Sequence, residues 1–387
     1  MKRKLRMGMV GGGPGAFIGD VHRRAARING DIDLVAGVFS SNWERNREKA
    51  SELFIPENRC YRSWQELFEG ESALPEDERM DFVSIVTPNA LHFPVSDAAL
   101  AADFHVMCEK PMTMNVSEAL RLRDRVESSG KLFGLMHNYS AYPMVRQMRQ
   151  MVRDGLLGDI LKVSAEYILG WLSKPYFNKQ STWRVDPKLS GGSLCMADVG
   201  THAQHLIHFV TGMEMTELNA DLTCFVEGRE IDDDGVVLVH YDNGARGIIS
   251  CSLVSTGEEN NFSLRIYGNE GGLEWHQQSP EELIYMTNDQ PKRVIRRNWA
   301  GACQESRDLS RLPAGHPEGF LEAFANVYRA FADAIHDTIK GNVPTQEYPG
   351  VQDGISEMVF LETLLKNAAS KEKWTAVPKV EDLRECK

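Results

Sequence analysis

Gly11-Gly12-Gly13-Pro14-Gly15-Ala16 interrupts a short apolar run over residues 5–10 and leads into residues of helical pattern. Four glycines in five positions let the backbone turn tightly with no side chain in the way. The spacing fits G-x-G-x-x-[G/A], with Gly11, Gly13 and Ala16 in the three marked places. A glycine-rich turn alone says little. After a first predicted strand and before a helix, it allows close approach of a pyrophosphate to backbone N–H groups and to the positive end of the helix dipole. Pro14, Gly15 and Phe17 complete that expected cradle.

The chain after this turn alternates. Helical pattern is expected from residue 23, then a strand over 33–39, helices over 43–53 and 63–68, and a buried strand over 80–86. A helix over 93–102, a strand over 104–108, a serine-capped helix over 117–129 and a strand over 131–136 follow. Strands alternating with helices imply a parallel sheet with crossover helices. Past about residue 140 the pattern changes. A helix over 142–154 precedes long alternating runs at 160–169, 215–226, 236–241, 245–254 and 261–267. Asp242-Asn243-Gly244 is a hairpin signal, and residues 268–272 form another turn. Helices are expected at 202–210, 320–338 and 353–370. The expected fold is therefore α/β: an N-terminal doubly wound Rossmann sheet over 1–140, and a C-terminal α+β domain over 141–387 with a large, mostly antiparallel open sheet.

A length of 387 residues with 42% hydrophobic composition suits two domains. The net charge of −12 argues against generic nucleic-acid binding, which needs a basic face. No apolar run is long enough to span a membrane, and no apolar stretch follows the basic N-terminus. The seven cysteines, Cys60, Cys108, Cys195, Cys224, Cys251, Cys303 and Cys386, are odd in number and form no C-x-x-C pair. That disfavours a disulfide framework or a zinc site and suggests a reduced, cytoplasmic compartment.

The ribose position is expected at the end of the second strand. No acidic residue stands there to select NAD; Ser40 and Ser41 offer hydroxyls, and Arg45 and Arg47 are candidates for a 2′-phosphate or for a solvated helix face. NAD is expected, with NADP left open. Three further segments gather chemistry: Thr87-Pro88-Asn89-Ala90-Leu91-His92, Glu109-Lys110-Pro111 and Asp198-Val199-Gly200-Thr201-His202. The first two lie at the carboxyl ends of predicted strands, where doubly wound sheets bind ligands. Thr87, Pro88, Asn89, His92, Glu109 and Lys110 are thus expected beside the dinucleotide.

The order G-x-G-x-x-[G/A], T-P-N-x-x-H, E-K-P, D-x-G-x-H resembles the glucose–fructose oxidoreductase/inositol dehydrogenase/rhizopine-catabolism (Gfo/Idh/MocA) family, over nearly the whole chain. The resemblance implies that Lys110 contacts nicotinamide and the substrate hydroxyl, and that Asp198 and His202 are an acid–base pair. Oxidising a secondary alcohol needs a base for the hydroxyl proton and a cation for the developing alkoxide; a helical four-residue spacing puts Asp198 and His202 on one face. Where the family often has an arginine, this chain has His137-Asn138-Tyr139, and Asn138 and Tyr139 are candidate substrate contacts. Trp183, Arg184 and Asp186 lie in a loop-like stretch before the D-x-G-x-H motif, suited to a sugar face and its hydroxyls. His316 precedes a predicted helix and is a further pocket candidate, while Glu318 reads as compensation of that helix's dipole. The Asp232-Asp233-Asp234 run reads as a solvated strand edge, and no metal is expected.

The expected activity is NAD(P)-dependent hydride transfer at a secondary hydroxyl of a sugar, glycoside or cyclic polyol. The stretch Gly15 to His22, with W-R-x-D-P and H-P-E-G, looks like a branch that oxidises sugar C3. Two alternatives stand beside it. One is a glycosidase working through transient C3 oxidation, elimination and water addition, which needs an additional base near C2, with Tyr139 or His316 as candidates. The other is a non-catalytic dinucleotide sensor. The resemblance also implies a homodimer or homotetramer formed through the C-terminal sheet.

Overall fold

The computed structural model describes residues 3–175 and 178–384. Met1, Lys2 and Cys386 lie outside them. Two compact units divide the chain: Met1–Met136 with Phe324–Ile355, and His137–Ala323 with Ser356–Lys387. The division falls four residues before the expected boundary at 140, and it places residues 324–355 with the first unit, which the sequence pattern did not indicate.

In the first unit the strands are β1 (Leu5–Gly11), β2 (Ile32–Val38), β3 (Phe82–Val86), β4 (His105–Cys108) and β5 (Phe133–Leu135). Among the described residues they form a sheet of order β2-β1-β3-β4-β5, with every neighbouring pair parallel. This is the doubly wound Rossmann arrangement. β3 is buried along its whole length, as a strand covered on both faces must be. The helices are α1 (Phe17–Ile28), α2 (Trp43–Glu52), α3 (Trp64–Ser72), α4 (His92–Ala101) and α5 (Val116–Ser129). Side chains start three of them: Asn42 accepts from Arg45 N, Ser63 from Glu66 N and Asn115 from Glu118 N. Asn115, not the expected serine, caps α5. The first helix also begins six residues before Arg23, because the turn feeds straight into it.

Residues 324–355 complete this unit's core. Tyr328 and Phe331 lie 6.3 and 5.6 Å from the Phe82 ring between centroids. Leu135 N donates to Pro349 O at 2.8 Å, which extends hydrogen bonding past the edge of β5.

The second unit opens with a turn over Asn138–Ala141 and α6 (Pro143–Arg153). Its strands are β6 (Ile160–Ile168), β7 (Met215–Thr223), β8 (Asp234–Tyr241), β9 (Arg246–Ser252), β10 (Asn261–Gly268), β11 (Gly272–His276), β12 (Glu282–Met286), β13 (Arg293–Arg296) and β14 (Thr375–Ala376). Among the described residues they make one nine-stranded sheet, β13-β12-β11-β10-β6-β9-β8-β7-β14. Every pairing is antiparallel except β6 with β9. The β8–β9 hairpin turns at Asp242-Asn243-Gly244, where Gly244 has φ +87°. Two short helices, α7 (Lys179–Arg184) and α8 (Pro187–Ser190), precede a π-helical turn over Met196–Gly200 and then α9 (Thr201–Thr211).

The Asp232–Asp234 run is not a solvated edge. Asp232 and Asp233 are 6% and 0% exposed. Asp232 accepts from Leu194 N, Met196 N and Ser193 Oγ, each at 3.0 Å, and so holds the entry to the π-helical turn. Burial raises its carboxyl above the ordinary value, against the pull of those hydrogen bonds. Asp233 accepts from Phe225 N, Val226 N and Arg229 Nη1. Backbone N–H groups of the β7–β8 connection find their acceptor in Asp233, and those at the entry to the π-helical turn find theirs in Asp232.

Candidate active site

The glycine turn has the geometry the motif requires. Gly11 and Gly15 have φ +96° and +74°, a region that L-residues avoid. A Cβ on Gly11 would stand 2.5 Å from Val86 O, and one on Gly13 would stand 2.2 Å from Phe39 O. The turn is thus pressed against the ends of β3 and β2 and leaves no room for side chains on its inner side. Ala16 is the N-cap of α1 and supplies no side-chain acceptor, which suits first-turn N–H groups meant for an anion. The close strand–helix crossing is made by Gly19, whose Cβ would meet Gly12 Cα at 2.4 Å; Ala16, in the third place of the fingerprint, does not make it. Arg23, 5% exposed, donates to Gly12 O at 2.9 Å and also pairs with Asp20. These residues fit a bound dinucleotide pyrophosphate.

At the end of β2, the buried Asn46 holds the strand terminus by accepting from Phe39 N at 2.6 Å. Ser40 Oγ accepts from Asn42 N at 3.2 Å. Ser41 and Arg45 are exposed, and Arg47 faces Glu57 at 3.4 Å. The hydroxyls and Arg45 are therefore at the surface beside the expected ribose position.

His92 holds two loops together. Its Nδ1 lies 2.7 Å from Pro111 O and its Nε2 3.0 Å from Thr87 O. It fixes the Thr87-Pro88-Asn89 turn against the Glu109-Lys110-Pro111 loop. Thr87 Oγ1 is buried and has no hydrogen-bond partner among the described residues. Asn89 is 5% exposed. Glu109 points inward: Oε1 lies 2.7 Å from His22 Nε2, while Oε2 accepts from Lys110 N at 3.2 Å. With Nε2–H donating to the carboxylate, His22 Nδ1 accepts from the Tyr328 hydroxyl at 2.6 Å, whose oxygen accepts from Ser84 at 2.9 Å. Burial alone would raise the Glu109 carboxyl, but the hydrogen bond from His22 and the positive charge of Lys110 hold it below its ordinary value. Glu109 thus anchors the loop that carries Lys110. His22 was visible in the sequence only as part of the turn stretch, and Tyr328 carried no signal.

In the second unit, Asp198 sits in the π-helical turn and His202 one turn later, 7% exposed, in the first turn of α9. Such wide turns recur at functional sites. Arg184 Nε faces Asp198 Oδ2 at 3.5 Å, and its guanidinium lies 4.4 Å from the Trp183 ring centroid. Asp186 caps α8, accepting from Lys188 N at 2.9 Å. The Tyr139 ring stands edge-on to His202 at 4.8 Å, and its hydroxyl lies 2.6 Å from that of Tyr167, which donates to Asn260 Oδ1. Asn138 is 2% exposed, and its Nδ2 has no partner among the described residues. His316 is exposed. Glu318 is not a simple dipole compensator: it accepts from Arg311 N and Leu312 N and pairs with the buried Arg297 at 2.9 Å. Glu322 takes the helix-start position, accepting from Gly319 N. No group of three His, Cys, Asp or Glu side chains is arranged to hold a metal ion among the described residues.

Residues 5–137 match the family model described as "Oxidoreductase family, NAD-binding Rossmann fold", and residues 145–274 match the "GFO/IDH/MocA C-terminal domain". Fold and matches together define an NAD-binding oxidoreductase. The chain belongs to the GFO/IDH/MocA family. It is 33% identical to the uncharacterized oxidoreductase YfiI of Bacillus subtilis, over 97% of each chain. Among solved structures it resembles an inositol dehydrogenase homolog from Azotobacter vinelandii complexed with NAD+, with TM-score 0.94, 33% identity and 97% of each chain covered. A structure of an inositol dehydrogenase homolog from the same organism, complexed with NADH and myo-inositol, gives TM-score 0.92 and 32% identity over 97% of this chain and 98% of the other. No helix among the described residues is long and apolar enough to cross a membrane.

Proposed function

We propose that this protein oxidises a secondary ring hydroxyl of a cyclic polyol, sugar or glycoside, with NAD as hydride acceptor. The observation that carries the proposal is His202, a nearly buried imidazole with Asp198 one turn before it. The likeness to a relative solved with NADH and myo-inositol supports the substrate class. When bound, the dinucleotide supplies the hydride acceptor. The residues of the chain do the rest. The glycine turn and the start of α1 hold the pyrophosphate. Lys110, on a loop fixed by Glu109 and His92, stabilises the developing alkoxide. His202 takes the hydroxyl proton, and Asp198 favours the charged imidazole. Asn138, whose amide nitrogen is buried without a partner among the described residues, donates to a substrate oxygen; an unmet buried donor costs about 1–3 kcal/mol, which substrate binding recovers. Trp183 and Arg184, the latter facing Asp198, are the further side chains proposed to contact the substrate.

Oxidation at C3 belongs to this proposal as its finer form. Self-assembly does too: Val236 and Leu238 on β8 are 38% and 41% exposed on one face of the large sheet, and light scattering measures the resulting mass. The test of function is a panel of inositols, free sugars and aryl glycosides with NAD or NADP, following reduced cofactor and aglycone together. Cofactor reduction without aglycone release is expected. Aglycone release without net reduction would mean the redox-neutral glycosidase, and neither signal would mean a sensor.

A further inference from the structure

Behind His202 lies a second imidazole and a buried carboxylate. His202 Nδ1 stands 3.4 Å from His137 Nδ1, and His137 Nε2 stands 3.0 Å from Glu357 Oε2. His137 and Glu357 are both 0% exposed. Glu357 lies on the helix Val351–Ala368, more than 200 residues along the chain from His137. The His137 ring is fixed further by stacking on His205, with centroids 4.1 Å apart and planes 7° from parallel.

The hydrogen-bond directions in this series follow from its end. A carboxylate only accepts, so His137 Nε2 carries the proton that faces it. A neutral His137 then has its lone pair on Nδ1. The hydrogen bond from His202 to that lone pair requires the proton on His202 Nδ1. His202 Nε2 is left with a lone pair, the form a general base needs. We propose that Glu357 and His137 are positioning residues that fix the base tautomer of His202 and stabilise its charged form after it accepts a proton. This rests on the reading of His202 as the base. The proton balance is simple. One proton leaves the substrate oxygen for His202 Nε2. The positive charge is then shared along Nδ1–H toward His137, with the Glu357 carboxylate as counter-ion, and the proton returns to solvent when product leaves.

The titratable groups facing this pair are His205 on α9, Asp198 in the π-helical turn, Tyr139 from the 138–141 turn, Tyr167 from β6 and Glu357. Burial pushes the Tyr167 hydroxyl well above its ordinary range, so it stays neutral. Asp198 and Glu357 carry the negative charge, and Asp198 faces Arg184 as well.

Glu357→Gln keeps the shape and a hydrogen-bond acceptor but removes the charge. In the full-length protein with NAD and the substrate found in the panel, single-turnover hydride transfer at neutral pH is expected to fall roughly tenfold to a thousandfold, because the imidazolium formed on His202 loses its counter-ion. NADH affinity should stay within about twofold of wild type. The acidic limb of the rate profile should move to lower pH, because the imidazolium loses its counter-ion. Glu357→Asp should recover part of the rate. An unchanged rate and profile in Glu357→Gln, with His202→Ala inactive, would overturn the relay and leave the base intact. Full activity in His202→Ala would overturn the base reading and the relay with it. Nitrogen-15 spectra of histidine-labelled wild-type protein give the same answer without a variant: His202 protonated on Nδ1 is expected, and protonation on Nε2 alone would refute the proposal.

Discussion

Gly13→Ala isolates the glycine turn's role better than any other change in the turn. Gly13 does not have the positive φ of Gly11, Gly12 and Gly15, so the substitution adds bulk without backbone strain. The added carbon would stand 2.2 Å from Phe39 O and 3.1 Å from Phe39 C. An ordinary carbon–oxygen contact requires the turn and the end of β2 to part by roughly 1 Å. The β2 end does not yield easily: Phe39 is 2% exposed, and its N–H is bonded to the fully buried Asn46. Overpacking of this kind costs about 1–3 kcal/mol. If the turn moves instead, the same energy is lost from cofactor binding, a rise in Kd of roughly fivefold to 150-fold. NADH fluorescence titration and thermal melting of the same preparation distinguish the two routes. Gly319→Ala is the matched control, since a Cβ there meets nothing within 4 Å. A Gly13→Ala protein with wild-type affinity and wild-type melting temperature would show that the turn is not packed tightly against the end of β2.

Other consequences are as specific. Lys110→Ala and His202→Ala should each abolish turnover while NADH binding persists; retained turnover in either removes its assigned role. Glu109 is depressed in the folded protein, so it stabilises the fold above its ordinary value of 4.5, and that contribution fades as pH falls through the folded value. Melting curves from about pH 6 to about pH 3 should therefore fall less steeply for Glu109→Gln than for wild type. Asp233→Ala strands the buried guanidinium of Arg229 and two backbone N–H donors, and chemical denaturation should show a loss of about 3–5 kcal/mol. Ser41→Asp places a negative charge beside the expected ribose and should suppress use of NADP while sparing NAD, which steady-state kinetics with both cofactors will show.

The parts of this fold that depend on neighbours in sequence were readable from the chain. β1, the glycine turn and α2 announce themselves through apolar runs, φ-permissive residues and helix caps, and the Asp242–Gly244 hairpin through its turn chemistry. Residues 324–355 gave no such sign, because their membership of the first unit depends on Tyr328 and Phe331 packing against Phe82. β11 to β13 were missed because strands of four or five residues are too short for alternation to register, even in β11, where Leu273 and Trp275 are fully buried. The aspartate run misled because charge alone does not reveal that Asp232 and Asp233 are the acceptors for a loop's N–H groups. At the site, motif spacing pointed to Lys110, Asp198 and His202 and placed them on a loop and a helix start. It could not reveal Glu357 or the inward-facing half of Glu109, whose partners are set by packing.

Every role assigned above depends on hydride transfer from a ring carbon that bears a hydroxyl, with His202 taking the hydroxyl proton. Presenting NAD and a cyclic polyol deuterated at each carbinol carbon, then weighing the reduced cofactor by mass spectrometry, tests it directly. The reduced cofactor should carry one deuterium, form more slowly than from the unlabelled polyol, and not form in His202→Ala. Reduced cofactor free of deuterium, or undiminished labelling in His202→Ala, would contradict it.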